Sequence, residues 1–92
     1  IAWFNGSDKG TFLCTYTNTS HSVEFSLDKL ENMLDPQIFF RINRNYIVNI
    51  DAIKDMYTLS KSRIKIELIP KTVEETLVSF NRMSNFRKWI NR

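Results

Sequence analysis

Polar side chains that hydrogen-bond well interrupt two apolar segments in the middle of the chain. Arg41 lies in the first segment, and Asn43, Arg44 and Asn45 precede the second segment at Tyr46. In the major groove of DNA, Asn pairs bidentately with adenine and Arg with guanine, and both residue types also contact phosphate. They have structural uses too, because Asn tolerates turn conformations and Arg41 could pair with a carboxylate. On the residues alone, nucleic-acid contact and a structural turn remain open as equal alternatives.

Residues suited to catalysis are few. His21 lies between two serines beside a predicted turn, which is more typical of a surface histidine than of a general base. Cys14 lies in an apolar segment, where cysteine is usually an inert small hydrophobe. One cysteine and one histidine exclude an internal disulfide and a four-ligand zinc site. The two glycines share one loop that lacks the Lys-Ser/Thr of a phosphate-binding loop. We therefore expect no enzyme activity and no cofactor.

Composition and charge indicate one folded domain with an uneven charge distribution. The chain has 92 residues, of which 42% are apolar and 13% aromatic, and a net charge of +3. No apolar run approaches the roughly 20 residues of a membrane span, so no membrane partner is expected. Residues 1–36 hold two basic and five acidic residues, a net charge of −3, whereas residues 37–92 carry +6. Such a chain can present a basic face to phosphate or only an ordinary solvated surface, and this count does not decide between them.

The pattern of side chains predicts a mostly β protein. Segments 11–17 and 21–25 are predicted to form a hairpin, and strict alternation marks 63–68 as a strand with one buried face. Residues 5–10 are predicted to be a polar loop. Apolar or β-branched runs predict the remaining strands at 1–4, 37–42, 46–50, 53–59 and 76–80.

Two short helices complete the prediction. Ser26 is a predicted N-cap, and leucines follow it at helical spacing until Asp35-Pro36 ends the pattern (Leu27, Leu30, Leu34). The C-terminal segment repeats apolar residues at the same spacing and carries a basic face (Met83, Phe86 and Ile90 or Trp89). Asn81 or Ser79 is the predicted cap of this second helix.

The run FRINRNYIVNI at residues 40–50, followed by Ile53, strongly resembles the signature of the LytTR family of bacterial DNA-binding domains. That signature reads roughly F-x-R-x-H-R-S-Y-[IV]-V-N. The resemblance extends to the helix at 27–34, the strand at 64–68 and the closing strand and basic helix, so it spans nearly the whole chain. The chain departs from the family where Asn43 and Asn45 stand in place of His and Ser. Residues after Ser79, often basic in the family, are Phe80 and Asn81 before Arg82.

The resemblance implies an elongated, mostly antiparallel β fold with one short internal helix and a C-terminal helix. It implies that residues 1–92 form a single DNA-binding domain that lacks the family's first N-terminal strand, with a receiver domain expected upstream. Such domains usually act as output domains of two-component response regulators, which are cytoplasmic bacterial transcription regulators. The implied partner is double-stranded DNA carrying direct repeats in promoters. Whether two copies bind DNA as a dimer is left open.

In this family, loops read DNA, and the resemblance assigns three such regions here. The first is the loop from Ser7 to Thr11, with Lys9 and Thr11; the second is Asn43-Arg44-Asn45; the third runs from Ser79 through Asn81 to Arg82. Arg44 and Asn43 are expected to read bases. Three basic residues are expected to hold phosphates (Lys9, Lys61, Arg82). Three apolar residues are expected to anchor the central loop in the core (Tyr46, Val48, Ile50).

Two alternatives to duplex DNA binding stay open at this point. In the first, the β edges or the basic helix dock onto a protein such as a receiver domain. In the second, exposed aromatic side chains on a sheet stack on single-stranded RNA. Phe39, Phe40 and Tyr46 are candidates by type, although their apolar segments favour a place in the core. For Asn49, a role in satisfying backbone groups at a strand end is favoured over ligand contact.

Overall fold

Segments rich in β-branched and aromatic residues form strands, as their composition predicts. The computed structural model describes residues 1–60 and 63–91. The strands are β1 (Trp3–Ser7), β2 (Gly10–Cys14), β3 (Ser20–Val23), β4 (Phe39–Arg41), β5 (Tyr46–Asn49), β6 (Ile53–Ser60), β7 (Arg63–Leu68) and β8 (Thr76–Val78). The α-helices are α1 (Leu27–Met33) and α2 (Met83–Ile90), and 3₁₀ turns span Ile50–Ala52 and Phe80–Arg82.

The strands form two antiparallel sheets. The larger has the order β3-β2-β1-β5-β4, and the smaller has the order β6-β7-β8. β1 lies between β2 and β5, with Asn5 opposite Tyr46, so β1 ends where β5 begins. This antiparallel pairing brings the β1–β2 turn and the β4–β5 loop to the same end of the larger sheet. The molecule measures 35 × 25 × 24 Å, and the expected antiparallel β fold with a short internal and a C-terminal helix is confirmed.

The core has two parts because alternate residues of β5 face opposite sides of the larger sheet. On one side, Ile47 packs with Phe4 and with Leu27 and Leu30 of α1. On the other side lies a cluster that the smaller sheet and α2 complete (Ala2, Ile42, Tyr46, Val48, Ala52, Ile64, Ile66, Leu68, Val78, Met83, Phe86, Trp89). α1 and the smaller sheet with α2 therefore cover opposite faces of the larger sheet.

Several local predictions are confirmed. Ser26 caps α1 by accepting a hydrogen bond from the Lys29 amide at 3.2 Å. β7 spans the predicted residues, and its buried side chains alternate. Asn49 satisfies backbone groups, since its amide donates to the Ile1 carbonyl and accepts from the Asp51 amide. Cys14 and Tyr46 are buried.

The predicted loop at residues 5–10 and the predicted cap of α2 are wrong. Residues 5–7 belong to β1 and not to a loop, because Asn5, Gly6 and Ser7 pair with β2 through Gly10. Neither Ser79 nor Asn81 caps α2. Arg82 occupies the N-cap position without a side-chain cap bond. A 3₁₀ turn precedes the helix, and its backbone hydrogen bond satisfies the amide at the start of the helix.

Candidate functional site

The segment Asn43–Asn45, here called the Arg44 loop, is shaped by the side chain of its first residue. The Asn43 Oδ1 atom accepts hydrogen bonds from the amides of Asn45 at 2.7 Å and Tyr46 at 2.9 Å. Its Nδ2 atom donates to the carbonyl of Leu77 in β8 at 2.7 Å. Asn favours such turns because its short side chain reaches backbone groups two residues ahead. Asn43 thus fixes the loop and ties it to the smaller sheet.

Arg41 holds the same loop from inside. Its Nε and Nη2 atoms donate to the carbonyls of Asn43 at 2.9 Å and Arg44 at 3.0 Å. Its Nη1 atom donates to Asp28 at 2.6 Å and to Glu31 at 3.1 Å, both on α1. The Arg41 side chain is only 8% exposed, and its planar fork satisfies several acceptors at once. The structural use of Arg41, pairing with a carboxylate, is confirmed, and the clamp on two loop carbonyls adds to it.

Gly6 lets β1 run close under both α1 and the Arg44 loop. Its amide donates to the Asn45 carbonyl at 2.9 Å. A Cβ atom at this position would lie 2.9 Å from the Leu27 Cδ1 atom, which is closer than packed carbon atoms approach. A larger residue here would therefore push against the buried Leu27 side chain, which glycine avoids.

Arg44 itself is presented outward by this scaffold. Arg44 and Asn45 are both exposed, whereas Tyr46 and Val48 behind them are buried and Ile50 is half-buried. Within residues 1–60 and 63–91, neither side chain of the exposed pair has a hydrogen-bond or ion-pair partner. Among these residues, the Arg44 guanidinium therefore lies unpaired at the tip of a loop whose backbone is held in place. Such a guanidinium is suited to contact phosphate or the guanine edge.

The segment after β8 lies beside the Arg44 loop. The Ser79 amide donates to the carbonyl of Ile42 at 2.9 Å, next to Asn43. Arg82 is one-third exposed, and its Nη1 atom donates to Glu31 at 3.1 Å and to the Arg41 carbonyl at 3.3 Å. Asn81 is exposed and accepts a hydrogen bond from the Ser79 hydroxyl at 3.0 Å.

Two surface depressions share the Arg44 loop. One of about 810 Å³ joins the loop to the segment after β8, and its lining includes Ser79, Phe80, Asn81 and Arg82. The other, of about 500 Å³, joins the loop to the β1–β2 turn, and its lining includes Thr11. Four residues line both depressions (Asp28, Arg41, Arg44, Asn45). The structure thus brings residues of all three predicted regions to one surface, with Arg44 between the other two.

The residues of the first region differ in their placement. Thr11 is a half-buried residue of β2, and Lys9 is an exposed residue of the turn between β1 and β2. Lys9 does not line either depression. Lys61, another predicted phosphate contact, lies outside the described residues.

Arg63 and Phe80 also line the larger depression. The sequence reasoning did not assign Arg63 to the site, and it placed Phe80 inside the third region without giving it a contact role. Arg63 is the exposed first residue of β7, and the alternation of that strand marks it as outward-facing. The Phe80 side chain is 77% exposed. For Phe80 the sequence signal was misleading, since its position at the end of an apolar run predicted a strand.

Carboxylates of α1 balance part of the positive charge around the loop. The hydrogen bond and the positive charge of Arg41, with a smaller contribution from Arg82, hold the pKa of Asp28 below its usual range. Glu31 contacts Arg41 through one oxygen and Arg82 through the other. Arg44 and Arg63 remain as cations without such a carboxylate partner among the described residues, so their charges are available to an anionic ligand.

The described residues contain neither a metal-binding cluster nor a membrane-spanning helix. Among residues 1–60 and 63–91, no three His, Cys, Asp or Glu side chains are grouped so that they could hold a metal ion. Neither helix of these ranges combines the length and the apolar content needed to cross a bilayer.

Comparison with known proteins gives two matches. The family model described as the LytTr DNA-binding domain matches residues 1–91. A solved structure, the LytTr DNA-binding domain of a methyl-accepting/DNA response regulator from Bacillus cereus, is 26% identical in sequence and superposes with a TM-score of 0.85. The match covers 100% of this chain and 82% of that one. None of the curated proteins matches the chain significantly.

Proposed function

Because the chain belongs to the LytTr family of DNA-binding domains, whose model matches residues 1–91, we propose that it binds double-stranded DNA sequence-specifically through the surface around Arg44. The observation that carries this proposal is the Arg44 loop itself. Its backbone is held by the side chains of Asn43 and Arg41, while the Arg44 guanidinium is exposed and has no partner among residues 1–60 and 63–91. A rigid loop loses little conformational entropy when it binds, which favours a specific contact.

The residues around the loop have distinct roles in this proposal. Arg44 reads a base, and Asn45 and Asn81 are exposed amides placed to hydrogen-bond beside it. Asn43 mainly positions the loop, and its second amide N–H is the part of the side chain that could reach a base. Lys9, Arg82 and Lys61 hold phosphates, with Thr11 at the rim. Arg63 is a further phosphate contact, since it lines the larger depression.

The solved relative, described as the DNA-binding domain of a response regulator, supports a proposal about the wider setting. We propose that this domain is likewise the output domain of a bacterial two-component regulator in the cytoplasm, downstream of a receiver domain. Its sites are direct repeats in promoters, and two copies bind neighbouring repeats.

Selection of bound duplexes from a random pool tests the proposal. We expect enrichment of a short sequence, repeated at a fixed spacing when two copies bind together. A domain that instead docks onto a protein would enrich no sequence at any salt concentration, and a receiver domain would bind it in solution without DNA. That pair of results would contradict duplex recognition.

A further inference from the structure

One aromatic side chain on the proposed DNA-binding surface is largely exposed to solvent. Phe80 is 77% exposed, although a phenyl ring is among the side chains that gain most from burial. It lies between the exposed amide of Asn81 and the segment that ends β8. A single exposed apolar residue needs no explanation by itself. Whether the exposure of Phe80 indicates a function therefore depends on the residues around it.

The backbone around Phe80 is fixed on both sides. Ser79 is bonded through its amide to the Ile42 carbonyl at 2.9 Å, and the Arg82 amide donates to the Ser79 carbonyl at 2.9 Å. Met83, which follows, is buried in the core. These bonds fix the backbone of the 3₁₀ turn Phe80–Arg82, so the Cα–Cβ bond of Phe80 leaves the surface from a fixed position. The ring is presented outward in the same way as Arg44 is.

Phe80 also shares its depression with the cations of the surface. It lines the depression of about 810 Å³ together with Arg44, Arg63 and Arg82. A ligand drawn in by these cations is a polyanion, and such a ligand must also offer an apolar group for the ring to gain from contact. In the major groove of duplex DNA, that group is the C5-methyl of thymine, which apolar side chains including Phe are known to contact.

We propose that Phe80 is a specificity-determining residue that contacts the methyl group of a thymine next to the base read by Arg44. This inference rests on the proposed function. It assigns to Phe80 a preference for thymine over cytosine and uracil at one position of each repeat.

The test removes the ring and the methyl group separately and together. Each thymine of the selected duplex is replaced in turn by deoxyuridine, which keeps the pairing and deletes only the methyl group. We expect one position per repeat at which this weakens binding of the unchanged protein about fourfold, the effect of one buried methyl-sized group. In Phe80→Ala, binding is weaker to the thymine duplex, and the same deoxyuridine has no further effect. Phe80→Leu, which stays apolar, should keep part of the methyl dependence.

The control is Val73→Ala, because Val73 is fully exposed and lies outside the larger depression. It should bind both duplexes as the unchanged protein does. Melting temperatures of Phe80→Ala and Val73→Ala should match that of the unchanged protein, since both side chains are largely exposed. If the deoxyuridine effects are the same with and without the ring, or if no position responds, the assignment of Phe80 is wrong while DNA recognition stands. If the unchanged protein prefers no duplex, the proposed function fails, and this inference fails with it.

Discussion

Asn43 and Asn45 are the same residue type two positions apart, yet the fold uses their side chains differently. The Asn43 amide makes three hydrogen bonds to backbone groups, one of them to Leu77 in β8. The Asn45 side chain is exposed and has no such bond among the described residues. Sequence reasoning placed both on the DNA-binding loop because both types suit base contact. It could not separate them, since the partner of Asn43 is 34 residues away.

This difference can be measured as stability. In Asn43→Asp the carboxylate still accepts from the amides of Asn45 and Tyr46, but it has no N–H for the Leu77 carbonyl and repels it. We expect the free energy of unfolding to fall by about 1–3 kcal/mol, the usual effect of leaving such a group without its partner. Urea denaturation at neutral pH provides the measurement.

Asn45→Asp is the matched control, because it makes the same chemical change two residues away. It should alter the unfolding free energy by less than about 0.5 kcal/mol. Equal destabilisation by the two substitutions would show that the Asn43 bonds do not stabilise the fold.

At the scale of elements, α1 positions the proposed DNA-binding surface through its carboxylates. Its carboxylates Asp28 and Glu31 contact Arg41, which in turn holds two carbonyls of the Arg44 loop. Glu31 also contacts Arg82 of the segment after β8. The negative charge of α1 is therefore partly used to fix two of the three proposed DNA-contacting regions.

The contact of α1 with Arg41 predicts a pH dependence of stability. Arg41 lowers the folded-state pKa of Asp28, so ionised Asp28 stabilises the fold above the unfolded pKa of about 4. That contribution is lost as the pH falls through the lowered folded-state value. We expect the stability difference between the unchanged protein and Asp28→Asn to be greatest near neutral pH and to shrink below about pH 4.

Repeating the comparison in an Arg41→Met background isolates the pair. There, Asp28→Asn should have a smaller effect at neutral pH, because the main cause of the pKa shift is gone. An undiminished effect in that background would place the origin of the pH dependence elsewhere.

Local pattern predicted the elements better than their ends and their mutual contacts. The capped α1 and the alternating β7 follow from spacing, because each is specified by neighbours in the chain. The extension of β1 through Ser7 was missed, since a polar Asn-Gly-Ser run is typical of a loop and only pairing with β2 makes it a strand. The start of α2 was also missed, because its preceding 3₁₀ turn is fixed by the bond between Ser79 and Ile42.

At the scale of the whole molecule, the fold brings acidic residues of the first part of the chain against basic residues of the second part. The acidic first part and the basic second part of the chain meet at the contacts of Asp28 and Glu31 with Arg41 and Arg82. These contacts neutralise part of the basic charge and leave Arg44 and Arg63 exposed beside one depression. The net charge of +3 is too small to predict DNA binding, whereas the position of these two arginines supports it.

The affinity for DNA should therefore depend on salt concentration, because a few basic residues contact phosphates. We expect log affinity to fall linearly with log salt concentration, with a slope that reports several neutralised phosphates. Arg63→Ala and Arg82→Ala should each reduce the magnitude of that slope by about 1. Lys54→Ala is the control, because Lys54 lies outside the depression and its Nζ atom is 3.8 Å from the Glu67 Oε1 atom. It should leave the slope unchanged. An affinity that does not change with salt would contradict phosphate contact by this surface.

The most direct test of the central claim compares Arg44→Ala with the unchanged protein on two duplexes, the selected sequence and a scrambled version of it. Arg87→Ala, an exposed arginine of α2 outside the depression, is the matched control. If Arg44 reads a base, its removal weakens binding to the selected duplex by about 1–3 kcal/mol and changes binding to the scrambled duplex far less. Equal losses on both duplexes, or a loss no greater than that of Arg87→Ala, would contradict sequence reading by the Arg44 loop.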